Sequence, residues 1–148
     1  MKLKLSVMDA MTRTPVVFGP EISVENAVKL MLKSKVGSLL VQENNLLKGI
    51  VTEKDLIQKI ILNGNNPKKT KISNVMNSIV VTVKPDVDVM DAVKLMTQYH
   101  VRRLPVVDKE SKLVGLLTLN DVLRLQPQLF ELILDKSRLF VSKKDYVD

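Results

Sequence analysis

The segment Val24-Glu-Asn-Ala-Val-Lys-Leu-Met31 returns 65 residues later as Val89-Met-Asp-Ala-Val-Lys-Leu-Met96, identical at six of eight positions. Self-similarity at a fixed period points to architecture before any local signal does. Working outward, Val36-Gly-Ser-Leu-Leu-Val41 is answered by Val101-Arg-Arg-Leu-Pro-Val106. Gly49-Ile-Val-Thr-Glu-Lys-Asp55 is answered by Gly115-Leu-Leu-Thr-Leu-Asn-Asp121, the offset growing to 66 through one extra turn residue. The lead-ins match as Val7-Met8 against Val75-Met76. One unit is written twice.

Each copy reads as strand, helix, strand, strand, helix. Val24, Ala27, Val28 and Met31, echoed by Val89, Ala92, Val93 and Met96, follow the spacing of a helix with one buried face. Ser23 and Asp88 are suited to cap those helices. Apolar runs at Leu39 to Val41 and Leu46 to Val51, and at Leu104 to Val107 and Leu113 to Thr118, predict paired strands around polar turns. A second helix is expected from Lys54 to Leu62, stopping at Asn63-Gly64, and from Asp121 to Leu125, stopping at Gln126-Pro127. Short strands at Val16 to Phe18 and Val80 to Val83 precede the first helices. The predicted fold class is α/β (α+β): two βαββα repeats at 1–66 and 67–126, packed with pseudo-twofold symmetry, and a helical extension at 127–148. In the extension, Leu129, Leu132, Ile133 and Phe140 suggest one amphipathic helix. A unit of about 60 residues is marginal alone, which favours packing of the two copies on each other.

Composition narrows the function. The chain of 148 residues is 45% hydrophobic and 26% charged with 5 Gly and 6 Pro, the profile of a globular protein. It has no Cys, which removes thiolate metal sites and cysteine nucleophiles, and one His, His100, placed as a surface or helix-end residue. No nucleophile has a base and orienting partner at recognisable spacing, so an enzyme is not expected. Asp86 and Asp88 read as turn and cap residues, and Met31, Met90 and Met96 as helix packing. The longest stretch without a charge, Ile72 to Val83, is too short for a membrane helix. Asp9 interrupts the start before any signal-like apolar run, and a cytoplasmic location is expected. The net charge is +7, with basic clusters at Lys68, Lys69 and Lys71 and at Lys136, Arg138, Lys143 and Lys144. These read as solvated surface, with nucleic acid as the sharper alternative; the five dispersed aromatics offer no base-stacking platform.

The pattern Gly49-x-x-Thr52-x-x-Asp55, copied as Gly115-x-x-Thr118-x-x-Asp121, falls where a strand ends and a helix starts. Thr followed three residues later by an acid is close to a capping box, and that alone accounts for both copies. The same geometry suits a phosphorylated nucleoside: unpaired amides and a Thr hydroxyl favour phosphate, and a carboxylate accepts from ribose hydroxyls. Both readings stay open on the pattern alone.

Together, the Val-Met lead-ins, the Ala-Val-Lys-Leu-Met helices, Val36 to Val41, Arg103-Leu-Pro-Val-Val-Asp108 and the paired Gly-x-x-Thr-x-x-Asp segments resemble the cystathionine-β-synthase-type (CBS) domain. The tandem, over roughly residues 7–125, looks like a CBS pair or Bateman module. The resemblance implies a regulatory module that binds AMP, ADP, ATP or S-adenosylmethionine in clefts between the repeats. Asp55 and Asp121 would hold ribose hydroxyls, with Thr52 and Thr118 facing the sugar or phosphate. It implies that the Asp121 cleft borrows Thr14, Val16, Val36, Gly37 and Ser38. The Asp55 cleft would borrow Ile79, Val81, Val101, Arg102 and Arg103. Ile50, Lys54, Pro105, Leu116 and Asn120 complete the expected binding set. Arg102 and Arg103 would contact phosphate, and the first repeat departs from the pattern with Gly37 and Ser38. The resemblance also implies a homodimer and a regulated partner protein. A structural dimerisation unit with empty clefts is the remaining alternative.

Overall fold

The computed structural model describes residues 4–131. In chain order these form α1 (Val7–Ala10), β1 (Val17–Phe18), α2 (Val24–Ser34), β2 (Ser38–Glu43), β3 (Leu46–Thr52) and α3 (Glu53–Leu56). A π-helical turn (Ile57–Leu62) and a 3-10 turn (Ile72–Asn74) follow, then α4 (Val89–Tyr99), β4 (Arg103–Val107), β5 (Leu113–Thr118) and α5 (Leu119–Leu125). The architecture is mixed α+β, with small sheets ordered β1-β2-β3 and β4-β5.

The repeats fold as their patterns predict. Val24, Ala27 and Met31 are buried on α2, and Val89, Ala92, Val93 and Met96 on α4. Ser23 Oγ accepts the Asn26 amide at 3.2 Å, and Asp88 Oδ1 the Met90 amide at 2.7 Å. Both helices end in a left-handed residue, Lys35 (φ 56°) and His100 (φ 54°). The β2–β3 hairpin turns on Asn44 and Asn45, with φ of 54° and 65°, the sign a tight two-residue turn demands and Asn tolerates.

The chain divides into two compact units that do not follow the repeat boundaries. One gathers the residues up to Arg13, Val81–Asp108 and the described residues from Val114 onward; the other takes Thr14–Val80 and Lys109–Leu113. Each repeat thus carries the lead-in of the other. In the first unit the Val7 amide donates to Val87 O at 2.8 Å and the Val89 amide to Leu5 O at 2.9 Å. In the second, the Ile72 amide donates to Ile22 O at 2.8 Å and the Val24 amide to Thr70 O at 2.8 Å. Val7 lies in one core with Met96, Leu104, Leu117 and Val122. Ile72 and Val75 lie in the other with Ala27, Leu39, Val41 and Val51.

These bonds keep a constant offset of 65, which corrects the lead-in match: Val7 corresponds to Ile72, and Met11, not Met8, corresponds to Met76. Gly115 and Gly49 explain why. A Cβ on Gly115 would stand 2.6 Å from Met11 Sδ and 2.8 Å from Thr12 O; one on Gly49 would stand 2.7 Å from Met76 Sδ and 2.8 Å from Asn77 O. Only glycine lets the lead-in backbone come this close. Thr12 and Leu116 then exchange amide bonds at 2.9 and 3.0 Å, and Asn77 and Ile50 at 2.8 and 2.9 Å.

Two expected elements differ. The strand at Val80 to Val83 is reduced to one bridge, Val83 with Val106. In the first repeat the Leu40 amide donates to Val16 O at 3.2 Å; the matching donor to Val81 would be Pro105, which has no N–H. The helix at Lys54 to Leu62 begins as α3 but turns π-helical from Ile57, and the Asn65 amide donates five residues back to Ile60 O at 3.2 Å. Leu129 packs on the first unit's core, while Leu132, Ile133, Phe140 and the basic cluster from Lys136 lie outside the described residues.

Candidate functional site

Strand β3 runs into α3 and β5 runs into α5 with no intervening loop, so Thr52 and Thr118 are each the last strand residue and the helix N-cap. Their backbones are extended, with φ of −112° and −108°. At the first corner, the Thr52 amide and hydroxyl donate to Asp55 Oδ2 at 2.9 and 3.0 Å, and Thr52 Oγ1 accepts the Asp55 amide at 3.4 Å. At the second, the Thr118 amide donates to Asp121 Oδ2 at 3.0 Å and Thr118 Oγ1 accepts the Asp121 amide at 3.1 Å. The capping boxes read from the sequence are formed.

They use half of each carboxylate. Asp55 is 8% exposed and Asp121 6%, and with Ser38 they are the buried polar or charged residues among those described. Asp55 Oδ1 has no hydrogen-bond partner among the described residues, and no sealed side-chain oxygen lacks one, so Oδ1 opens onto accessible space. Asp121 Oδ1 meets Arg124 Nη1 at 3.5 Å. Capping engages Oδ2, which leaves Oδ1 of Asp55 open and Oδ1 of Asp121 beside Arg124. A carboxylate with one oxygen anchored and one open has the geometry to accept from a vicinal diol.

The preceding strands set the neighbours. Ser38 on β2 pairs with Thr52 on β3, and Gly37 O accepts the Glu53 amide at 3.2 Å. In the other unit Arg102 O accepts the Leu119 amide at 2.9 Å, bringing Arg102 and Arg103 to the Thr118 corner. Thr14, Val16, Val36, Ile50, Lys54 and Ile79 belong to the unit of the Asp55 corner. Val81, Val101, Pro105, Leu116 and Asn120 belong to that of Asp121. Of these, Pro105 is buried, Val16, Val36, Ile50, Val81, Val101 and Leu116 are half-buried, and Thr14, Lys54 and Asn120 are exposed, with Ile79 at 96%. Arg103 is half-buried and Arg102 exposed.

Sequence reasoning missed Arg124. Its signal was present, because an Asp and an Arg three apart on a helix share a face. Among the described residues no group of three or more His, Asp or Glu could hold a metal, and no helix is long and apolar enough to cross a membrane.

The CBS domain family model matches residues 7–62 and 72–127, one match for each copy of the repeat. The CBS domain-containing protein YhcV of Bacillus subtilis is 35% identical over 117 residues, covering 79% of this chain and 82% of that protein. The protein MK0525 of Methanopyrus kandleri is 38% identical over 133 residues, covering 89% of this chain, which spans 65% of that protein's length. Among solved structures, the CBS domain pair of protein MJ0100, in complex with 5′-methylthioadenosine and S-adenosyl-L-methionine, superposes with a TM-score of 0.73 at 29% identity, over 82% of this chain and 98% of that one. With both copies of the repeat matched and the fold shared, the chain belongs to the CBS domain family, as a tandem pair.

Proposed function

We propose that this chain is a regulatory, non-catalytic module that binds an adenosine-containing ligand at its Thr-x-x-Asp corners and passes the event to a partner. The observation that carries the reading is the pair of buried carboxylates, each anchored through Oδ2 by its own capping box. In this reading Asp55 and Asp121 accept the ribose hydroxyls, as acidic residues do in dinucleotide sites. Thr52 and Thr118 face the sugar or phosphate. Arg102 and Arg103 offer guanidinium groups matched to phosphate oxygens. The half-buried apolar residues Val16, Val36, Ile50, Val81, Val101 and Leu116 supply walls for a base, with Thr14, Gly37, Ser38, Lys54, Ile79, Pro105 and Asn120 completing the set. AMP, ADP, ATP and S-adenosylmethionine are the ligand class, and the adenosine compounds held by the MJ0100 pair support it.

Binding changes a partner only through a difference in affinity between two arrangements. We propose a homodimer as the first receiver, supported by the exposed apolar side chains of Leu32, Ile57 and Ile61. Sedimentation at micromolar concentration giving only the 16.7 kDa of one chain would remove it. Calorimetry with AMP, ADP, ATP and S-adenosylmethionine on wild type and Asp121→Ala tests the binding itself. Heat from at least one ligand, weakened by the substitution, is expected. Absence of binding by all four would leave the structural reading of the corners.

A further inference from the structure

We propose that Asn63 is a site of spontaneous deamidation. Its side-chain amide converts to a carboxylate, mostly as isoaspartate, at the far end of the helical segment that Thr52 and Asp55 begin.

The sequence supplies the reactive pair once, as Asn63-Gly64. The chemistry runs through the backbone of the second residue. The Gly64 amide gives up its proton to hydroxide, and its nitrogen attacks Asn63 Cγ. The bond from Cγ to Nδ2 breaks, releasing ammonia and closing a five-membered imide. Water then adds to either imide carbonyl. Opening at one returns an ordinary aspartate; opening at the other leaves isoaspartate, whose main chain runs through Cγ and is one methylene longer. No oxidant or reductant takes part, and the net charge of +7 falls by one. Glycine is the best second residue because no Cβ shields its nitrogen.

The fold leaves this pair open. Every residue from Ile61 to Lys69 is exposed. Among the described residues the Gly64 amide and the Asn63 side chain make no hydrogen bond. The π-helical turn explains it. Five residues back from Gly64 stands the Lys59 carbonyl, which is taken instead by Asn65 Nδ2 at 2.7 Å, while the Asn65 amide reaches Ile60 O at 3.2 Å. Gly64 has φ 71°, and nothing lies within 4 Å of where a Cβ would stand. Ring closure requires the Asn63 ψ, −6° here, to swing toward the extended region. The bonds given up in that swing are the two made by Asn65, and exposed bonds at the end of an element open at little cost.

Other asparagines are shielded. The amides that follow Asn26, Asn74 and Asn120 donate to Ser23 O at 3.0 Å, Ile72 O at 3.0 Å and Thr118 Oγ1 at 3.1 Å. Asn66 precedes Pro67, whose nitrogen has no proton to lose.

The product weakens the turn in which it forms. A carboxylate at the C-terminal end of a helix meets the partial negative charge there. The added methylene also takes Asn65 out of register with Lys59 O and Ile60 O, and Ile60 belongs to the core that holds Val51 and Val75.

Ageing the full chain at mildly acidic and mildly alkaline pH, with peptide mass spectrometry at intervals, tests the site. The tryptic peptide Ile60 to Lys68 should become about 1 Da heavier at Asn63, faster in alkali and ahead of Asn26, Asn74 and Asn120. Electron-transfer fragmentation should find isoaspartate as the larger share. A parallel sample unfolded in guanidinium sets the rate of an unrestrained chain, and the folded protein should keep pace within about tenfold. Asn63 still intact after the unfolded chain has converted would overturn the proposal, as would a gain that appears first on Asn65 or persists in Asn63→Gln. The aged acidic form, isolated by ion exchange, should melt below fresh protein and below Asn63→Asp, which has the charge without the methylene. Melting equal to that of fresh protein would overturn the weakening of the turn.

Discussion

Met11 lies across Gly115 with its sulfur 2.6 Å from where a Cβ would stand, and Met76 lies the same way across Gly49 at 2.7 Å. The methionine side chains can swing aside, but the carbonyls of Thr12 and Asn77, each 2.8 Å from the same points, cannot without moving backbone. Gly115→Ala and Gly49→Ala should therefore each destabilise the fold by about 1–3 kcal/mol, the range for overpacking. Urea denaturation measures it. Adding Met11→Ala to Gly115→Ala should recover little, because the carbonyl remains; full recovery would show that only the sulfur was in the way.

Pro105 should matter through the bond it withholds. Pro105→Ala restores an N–H at the position where Leu40 donates to Val16 O at 3.2 Å. The new amide should find Val81 O and exchange with solvent as slowly as that of Leu40. Hydrogen exchange read by NMR gives the comparison, and fast exchange at residue 105 would contradict the account of the missing strand.

Thr118→Val removes an oxygen that accepts the Asp121 amide at 3.1 Å and should cost about 1 kcal/mol, as losses of N-caps do; Thr118→Ser should cost much less. Chemical denaturation of the three proteins tests it. A Val variant as stable as wild type beside a weakened Ser variant would mean that the methyl group, not the hydroxyl, matters there.

Acid should weaken the first unit through Asp9. Its Oδ2 accepts the Ser6 amide at 2.9 Å and the Ser6 hydroxyl at 3.0 Å. These bonds, the backbone one first, hold its carboxyl below the ordinary 3.8, with Arg13 adding a smaller pull. A depressed folded value means stability that is fully present above the unfolded value and lost as pH falls through the folded one. Asp9→Asn should lower stability at neutral pH and shrink the difference between urea midpoints at pH 2 and pH 7. An unchanged difference would show that the carboxylate contributes nothing.

What the sequence made legible follows from period and punctuation. The stripe at Val24, Ala27 and Met31, the caps Ser23 and Asp88, and both Thr-x-x-Asp corners were readable because each depends on neighbours within four residues. Three features were not. The weak strand before α4 depends on Pro105, more than twenty residues downstream. The placement of Val7 beside Val87 depends on a contact across the whole of the other repeat, and no local propensity records it. The π turn after Leu56 has Ile57, Ile60 and Ile61 on a pattern that suits α-helix equally, and its Lys59 Nζ donates to Val75 O at 2.8 Å, a contact sixteen residues away that no local pattern records. At the candidate site, residue types were legible and charge balance was not, because Arg124 acquires meaning only once Asp121 is known to be buried.

The exchanged lead-ins also set an order on biosynthesis. Residues 4–13 are made before the rest of their unit, which begins at Val81, so they wait while the stretch from Thr14 to Val80 gathers. At a translation speed of roughly 5–20 residues per second, the wait from Val81 to Leu125 lasts about 2–9 s. During that interval Leu5, Val7 and Met11 are open to chaperones, and a message cut short before the second repeat leaves residues 4–13 without the elements they pack on.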